Sequence, residues 1–276
     1  MFSNRVTEMM GTQLPIMQAP MGWIARSALA SAVSNAGAMG MIETSSGELD
    51  AVRSEIRAMA ELAPGRPFAV NIAQAFVNDP SIIEFVIEQG VRFVTTSAGD
   101  PRQYTSRLKE AGLTVFHVVP TLRAALKAVD AGVDGLVVEG GEGGGFKNPR
   151  DVSTMVLLPL VASKVDVPII AAGGFLDGRS MAAALALGAE GVQLGTVMVA
   201  TRESPIHDNW KQAIIAATET DTVMLNRHAG PALRVLRSER STALEFDTSV
   251  NAMTAMADHR RLYFDGEMDA ALALSG

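Results

Sequence analysis

Short apolar runs recur along the chain, separated by longer stretches in which apolar side chains return every three or four positions. Ile16–Gln18, Met39–Ile42, Phe68–Asn71, Phe93–Thr95, Val115–Val119, Gly135–Val138, Val167–Ala171 and Gly191–Gln193 are nearly continuous in hydrophobicity. That pattern belongs to strands buried on both faces, as in a parallel sheet. Between them, Glu48–Leu62 sets Leu49, Val52, Ile56, Met59 and Leu62 along one side of a helix. Arg26–Asn35, Pro80–Gln89, Pro101–Ala111, Leu122–Asp130, Thr154–Lys164 and Arg179–Leu187 also read as helices. Most are followed by a glycine able to take the left-handed C-terminal position, and Pro80 and Pro101 suit a first turn.

Strand followed by helix, repeated eight times, predicts an α/β fold, a (β/α)8 TIM barrel, because parallel neighbours need helical crossovers. A doubly wound open sheet would alternate likewise, but its glycine-rich turn follows the first strand. Here the glycine clusters follow the sixth, seventh and eighth runs. The expected division is a barrel over residues 1–203 and a helical extension over 204–276, packed on or over the barrel mouth.

Composition narrows the partners. The chain has 276 residues, 48% apolar and 19% charged, with a net charge of −7. These values describe a globular protein without the basic block that nucleic acid or an anionic membrane requires. No apolar run reaches the roughly 18 residues that span a bilayer, and Met1–Glu8 lacks a signal-peptide core, so a cytoplasmic protein is expected. There is no cysteine, which excludes disulfides, thiolate metal sites and cysteine nucleophiles; no metal is expected. Fifteen methionines read as core filler or as the lining of an adaptable apolar pocket. The alanine-rich helices suit a homodimer.

The candidate chemistry gathers at the ends of the runs. Gly135-Leu-Val-Val-Glu139 ends in a carboxylate, and the loop Gly140–Gly145 follows with five glycines. Bare backbone of this kind lets a flat or anionic group come close, whereas a flexible connection would more often be Gly/Ser-rich and lack the terminal acid. Gly173-Gly174 and Gly195-Thr196 follow the seventh and eighth runs, where barrels commonly bind phosphate through backbone N–H groups and a helix N-terminus. Tight structural turns are the alternative. Asn71 ends the third run and offers a hydrogen-bonding amide; Pro20-Met21 follow the first and offer an apolar wall. A phosphate site beside a flat, hydrogen-bonding group suggests flavin mononucleotide (FMN).

With these residues in place, the chain resembles the nitronate monooxygenase (2-nitropropane dioxygenase-like) family of FMN barrels, which includes flavin-dependent enoyl reductases. The resemblance spans about Leu14–Thr201. It rests on Pro15-Ile-Met-Gln-Ala-Pro-Met21, Pro67-Phe-Ala-Val-Asn71, Glu139-Gly-Gly-Glu-Gly-Gly-Gly145, Ala171-Ala-Gly-Gly-Phe175 and Gly195-Thr196. It implies that Gly173, Gly174, Gly195 and Thr196 bind the FMN phosphate. It further implies that Ala19, Pro20, Met21, Asn71, Glu139, Gly144 and Gly145 surround the ribityl chain and ring, with Gln193 nearby. Pro231-Ala-Leu-Arg-Val-Leu-Arg-Ser-Glu239 resembles a reductase branch acting on coenzyme A thioesters.

The departures matter as much. Where the monooxygenases and many of the reductases carry a histidine, in the monooxygenases the proposed base, this chain has Phe146, and where some relatives carry a lysine on the fifth strand it has Val118. Of the four histidines, His117 reads as core, His207 as a helix start and His259 as surface. His228 lies in a loop able to fold over the mouth and stands with Phe146 and Lys147 as a candidate substrate contact; the other reading of Lys147 is a solvated loop lysine. Ala271–Gly276 looks like the start of a helix that relatives continue, so either the C-terminus is truncated or a pocket wall is missing. The functional expectation is an FMN-dependent oxidoreductase using NADH or NADPH to reduce a hydrophobic enone, enoyl-thioester (a CoA thioester among them) or quinone. A nitronate monooxygenase and a non-catalytic FMN-binding subunit or sensor are the alternatives.

Overall fold

The computed structural model describes residues 3–256 and 258–276. Eight strands form one parallel sheet: β1 (Ile16–Gln18), β2 (Gly40–Ile42), β3 (Phe68–Ala73), β4 (Phe93–Ser97), β5 (Thr114–Val119), β6 (Gly135–Glu139), β8 (Ile169–Ala172) and β9 (Gly191–Leu194). Their order is β1-β9-β8-β6-β5-β4-β3-β2. A parallel bridge between Met17 and Met39 joins the two ends and rounds the sheet into a barrel. Each apolar run lies on one of these strands, and every expected helix forms with its ends shifted by a residue or two, except that Pro101–Ala111 splits into a 3-10 turn and a short helix.

Alternation along each strand sorts side chains into two layers. Met17, Met39, Met41, Ala69, Phe93, Phe116, Val137 and Ile170 point inward and fill the barrel. Val70, Ile72, Val94, Val115, Leu136, Val138 and Ile169 point outward against the helices. Helix Leu49–Leu62 buries Leu49, Val52, Ile56 and Met59, while Leu62 remains 47% exposed. The three inward methionines are fully buried, so they serve as core filler.

A helix the pattern did not mark, Arg5–Met10, plugs the N-terminal end of the barrel with Val6 and Met10. Its start is secured by a capping box between Asn4 and Thr7.

The segment beyond the barrel is not purely helical: it carries helices Asp208–Ala216, Glu239–Leu244 and His259–Tyr263, and two further strands, β10 (Thr222–Leu225) and β11 (Ala232–Leu236). Together with β7 (Gly145–Lys147) they form an antiparallel sheet in the order β10-β11-β7. The third strand of this sheet is thus cut from the glycine-rich loop itself. Ala232 pairs with Lys147, Leu233 with Phe146 and Arg234 with Gly145. Arg234 Nε also donates to Gly141 O at 2.6 Å, and Arg227 pairs with Asp151 at 2.6 Å. The extension therefore docks along the loop after β6, at the C-terminal end of the barrel.

Candidate active site

The inward positions at the carboxyl ends of the strands converge on one mouth. They include Asn71 on β3, Thr95 on β4, Val118 on β5, Glu139 on β6, Ala172 on β8 and Gln193 on β9, with Ala19-Pro20-Met21 following β1. Asn71 is 1% exposed, and its Nδ2 donates to Thr95 Oγ1 at 2.9 Å. Gln193 is 7% exposed, and its Oε1 has no hydrogen-bond partner among the described residues. Ala19, Pro20 and Met21 are half-buried.

The loops after β6 and β8 lie on each other. Gly173 and Gly174 take φ of +92° and +82°, a region costly for side chains. A Cβ on Gly173 would sit 3.0 Å from Gly140 O and Gly143 N. The helix that follows, Gly178–Ala186, is already capped by Asp177, whose carboxyl Arg179 holds down to about 2. Two of its first-turn N–H groups, those of Arg179 and Ser180, are therefore satisfied within the chain. Glu142 likewise caps the next helix, accepting from Thr154 N at 2.9 Å and Thr154 Oγ1 at 2.8 Å.

Gly195 differs. Its φ is −110°, no side chain caps the turn that follows, and a Cβ there would meet only Ala19 Cβ, at 3.5 Å. Nothing among the described residues demands glycine at this position, so the bare backbone is available to a ligand. Gly144 is explained from within: a Cβ would lie 2.7 Å from the Ser275 carbonyl carbon. The tail also reaches the turn after β9, where Gly276 N donates to Thr196 Oγ1 at 2.9 Å. Residues 271–276 form no helix; Leu236 N instead bonds Ala273 O at 2.8 Å.

Phe146 packs against Phe76, with ring centroids 5.7 Å apart, and against the apolar layer of the second sheet. Lys147 is not the solvated loop lysine of one expectation. It is 7% exposed, and its Nζ lies 2.7 Å from Glu139 Oε1. His228 does not join the strand-end group. It is exposed in the turn between β10 and β11, in a cleft of about 200 Å³ shared with Phe246 and Asp247.

His117 points outward between β5 and the helices, with Nδ1 2.7 Å from Thr96 Oγ1, and burial pushes it down to about 4. His207 caps helix Asp208–Ala216. His259 is half-buried rather than plainly on the surface, stacked on Trp23 at 3.9 Å.

One functional-looking cluster escaped the sequence reading. Glu43 follows β2 and is fully buried. It accepts from Trp23 N at 3.2 Å, Ser45 Oγ at 3.0 Å and Ser46 N at 2.7 Å, and pairs with Arg26 at 3.0 Å. Trp23 is held at φ +61°, a strained setting for a tryptophan. The available signal was the acid ending an apolar run, the same one that marks Glu139.

The family model for nitronate monooxygenase matches residues 3–81 and 73–272. The chain belongs to the nitronate monooxygenase family. It is accordingly a flavin-dependent oxidoreductase on a TIM barrel. Among solved structures, FabK from Thermotoga maritima is similar over 100% of this chain and 89% of its own, with a TM-score of 0.92 and 36% identity. A (3aS,4S,5R,7aS)-5-hydroxy-7a-methyl-1-oxo-octahydro-1H-indene-4-carboxyl-CoA dehydrogenase of Mycobacterium tuberculosis is 37% identical over 91% of this chain and 70% of that protein. A probable nitronate monooxygenase of Staphylococcus saprophyticus is 31% identical over 86% and 79%. No helix in the described residues is long and apolar enough to cross a membrane.

Proposed function

We propose that this family member is an NAD(P)H-dependent, FMN-dependent reductase of a hydrophobic enone, enoyl-thioester or quinone, with a CoA thioester the favoured substrate class. The observation that carries the reductive reading is Phe146. Where oxidative relatives place a histidine base, a phenyl ring packs on Phe76 and the second sheet. A phenyl ring accepts no proton, and a positioned base typically contributes about 10²–10⁴-fold.

The residues present fit FMN. The uncapped turn at Gly195-Thr196 and the positive-φ pair Gly173-Gly174 offer backbone to the phosphate. Glu139 and Gln193 offer acceptors, Asn71 an amide, and Ala19, Pro20 and Met21 an apolar wall, with Gly144 and Gly145 beside them. FMN, when bound, supplies hydride acceptance and delivery. The chain's own part is to orient the acceptor, exclude water and stabilise charge that develops on the substrate's carbonyl oxygen. Residues 204–276 close one side of the mouth. The CoA-dehydrogenase relative supports a thioester. That no helix among the described residues is long and apolar enough to cross a membrane accords with a cytoplasmic enzyme, and the exposed Met155, Val156 and Leu160 accord with a homodimer.

Nitronate oxidation is the second reading, supported by the family match. A nitronate has already lost its proton, so a site without a base still admits it, whereas a neutral nitroalkane does not react. Anaerobic mixing decides between the two. Bleaching of the flavin absorbance by NADH or NADPH is the expected result. Bleaching by a nitronate and by neither nucleotide would select the second reading.

A further inference from the structure

Lys147 ends β7, and its ammonium lies 2.7 Å from Glu139 Oε1, across the two ends of the glycine-rich loop. The lysine side chain is 4% exposed and the glutamate 24%. A lysine this deep needs a counter-charge, and Glu139 is its only hydrogen-bond partner among the described residues. The arrangement is lopsided. One oxygen of Glu139 is held by Lys147, while Oε2 has no hydrogen-bond donor among the described residues and the side chain opens toward the mouth.

The loop lies directly on this pair: a Cβ on Gly143 would fall 2.7 Å from Glu139 Oε1 and 3.0 Å from Lys147 Nζ. A carboxylate alone turns freely about its last torsion, which is broad and two-fold. An ammonium pinned by β7 and its pairing with β11 removes that freedom. The remaining oxygen is then held in one orientation, on a strand end that shares its mouth with Asn71 and Gln193.

We infer that Lys147 is a positioning residue: it clamps one oxygen of Glu139 so that the other is presented at a set angle to an O–H or N–H donor of the bound flavin. This rests on the FMN reading above and withdraws Lys147 from the substrate contacts. The ammonium is consumed inside the protein. Its work on the cofactor passes through Glu139.

The experiment uses the whole chain, stripped of flavin and titrated with FMN, following quenching of flavin fluorescence and the absorption spectrum of the bound form. One charge-assisted hydrogen bond corresponds to about tenfold or more in affinity. Lys147→Met and Glu139→Gln are each expected to weaken FMN binding by about that factor and to shift the flavin band. Lys147→Arg restores most of the affinity. The double variant Lys147→Met/Glu139→Gln regains thermal stability, because no buried charge is left unpaired, yet stays as weak for FMN as either single change. Wild-type FMN affinity and spectrum in Lys147→Met or in the double variant, with only the melting temperature moved, would overturn the inference and leave a purely structural clip. Failure of the wild-type chain to bind FMN would instead overturn the cofactor reading itself.

Discussion

The two ends of the barrel are built from the same strands and do opposite things. At the N-terminal end, helix Arg5–Met10 inserts Val6 and Met10, which are 0% and 3% exposed, and the interior is apolar. At the C-terminal end, the inward positions turn polar within two residues: Ala69 gives way to Asn71, Phe93 to Thr95, Val137 to Glu139. Glycines replace side chains, and acids close helix N-termini that would otherwise be bare. The contrast teaches that one end is assembled for cohesion and the other for access. Changes at the first should cost stability and spare the cofactor. Changes at the second should do the reverse.

The sharpest way to test that contrast is Gly174→Asp. A carboxylate placed beside the Gly173–Gly174 backbone, close to Glu142, is expected to cut FMN affinity about 10³-fold, near 4 kcal/mol. Retained flavin in the purified variant would remove the phosphate assignment. Next comes Met10→Ala at the plugged end. Emptying a core position should lower unfolding free energy by about 3 kcal/mol. FMN affinity of the folded fraction should stay unchanged, and a parallel loss of both would blur the division.

A third test lies between barrel and helices. Burial holds His117 at about 4 in the folded chain, against 6.5 when exposed. The unfolded chain therefore binds the extra proton first, and stability contributed by neutral His117 is full above pH 6.5 and is lost as pH falls toward 4. The contribution is at most about 3 kcal/mol. Chemical denaturation across that range should show a shallower decline for His117→Gln than for wild type; identical slopes would count against the assignment. The smallest effect is expected from Phe146→His. It restores a base where oxidative relatives carry one, and oxidation of neutral nitroalkanes should rise by tenfold or less, about 1 kcal/mol. An oxygen-electrode assay reads it, and no gain would mean the ring does not face the flavin.

Legibility followed locality. All eight barrel strands were marked by continuous apolar runs, since a strand covered on both faces leaves its record within four or five residues. Glu139, Asn71 and the paired glycines stood out as candidates because each sits at the end of such a run. Glu43 sits at the end of one as well, but its burial depends on Arg26 and Trp23, which reach it from another loop. β10 and β11 went unmarked because half-buried positions interrupt their apolar runs, and the strand that completes their sheet lies some 85 residues away, within a loop whose glycines argue against strand.

By itself, then, the sequence determined the order of strands and helices, the end of the barrel at which polar strand ends and glycine turns gather, and the family. These follow from near-neighbour periodicity and from residue types that strand ends and tight turns require. Only the tertiary structure decided that Lys147 is buried on Glu139 rather than solvated, that Asp177 rather than a ligand caps its helix, and that the glycine-rich loop doubles as the third strand of a second sheet. Those outcomes depend on which charges and backbone groups meet across long stretches of chain. Burial then makes each such meeting decisive, because an unpaired charge or N–H is costly once water is gone.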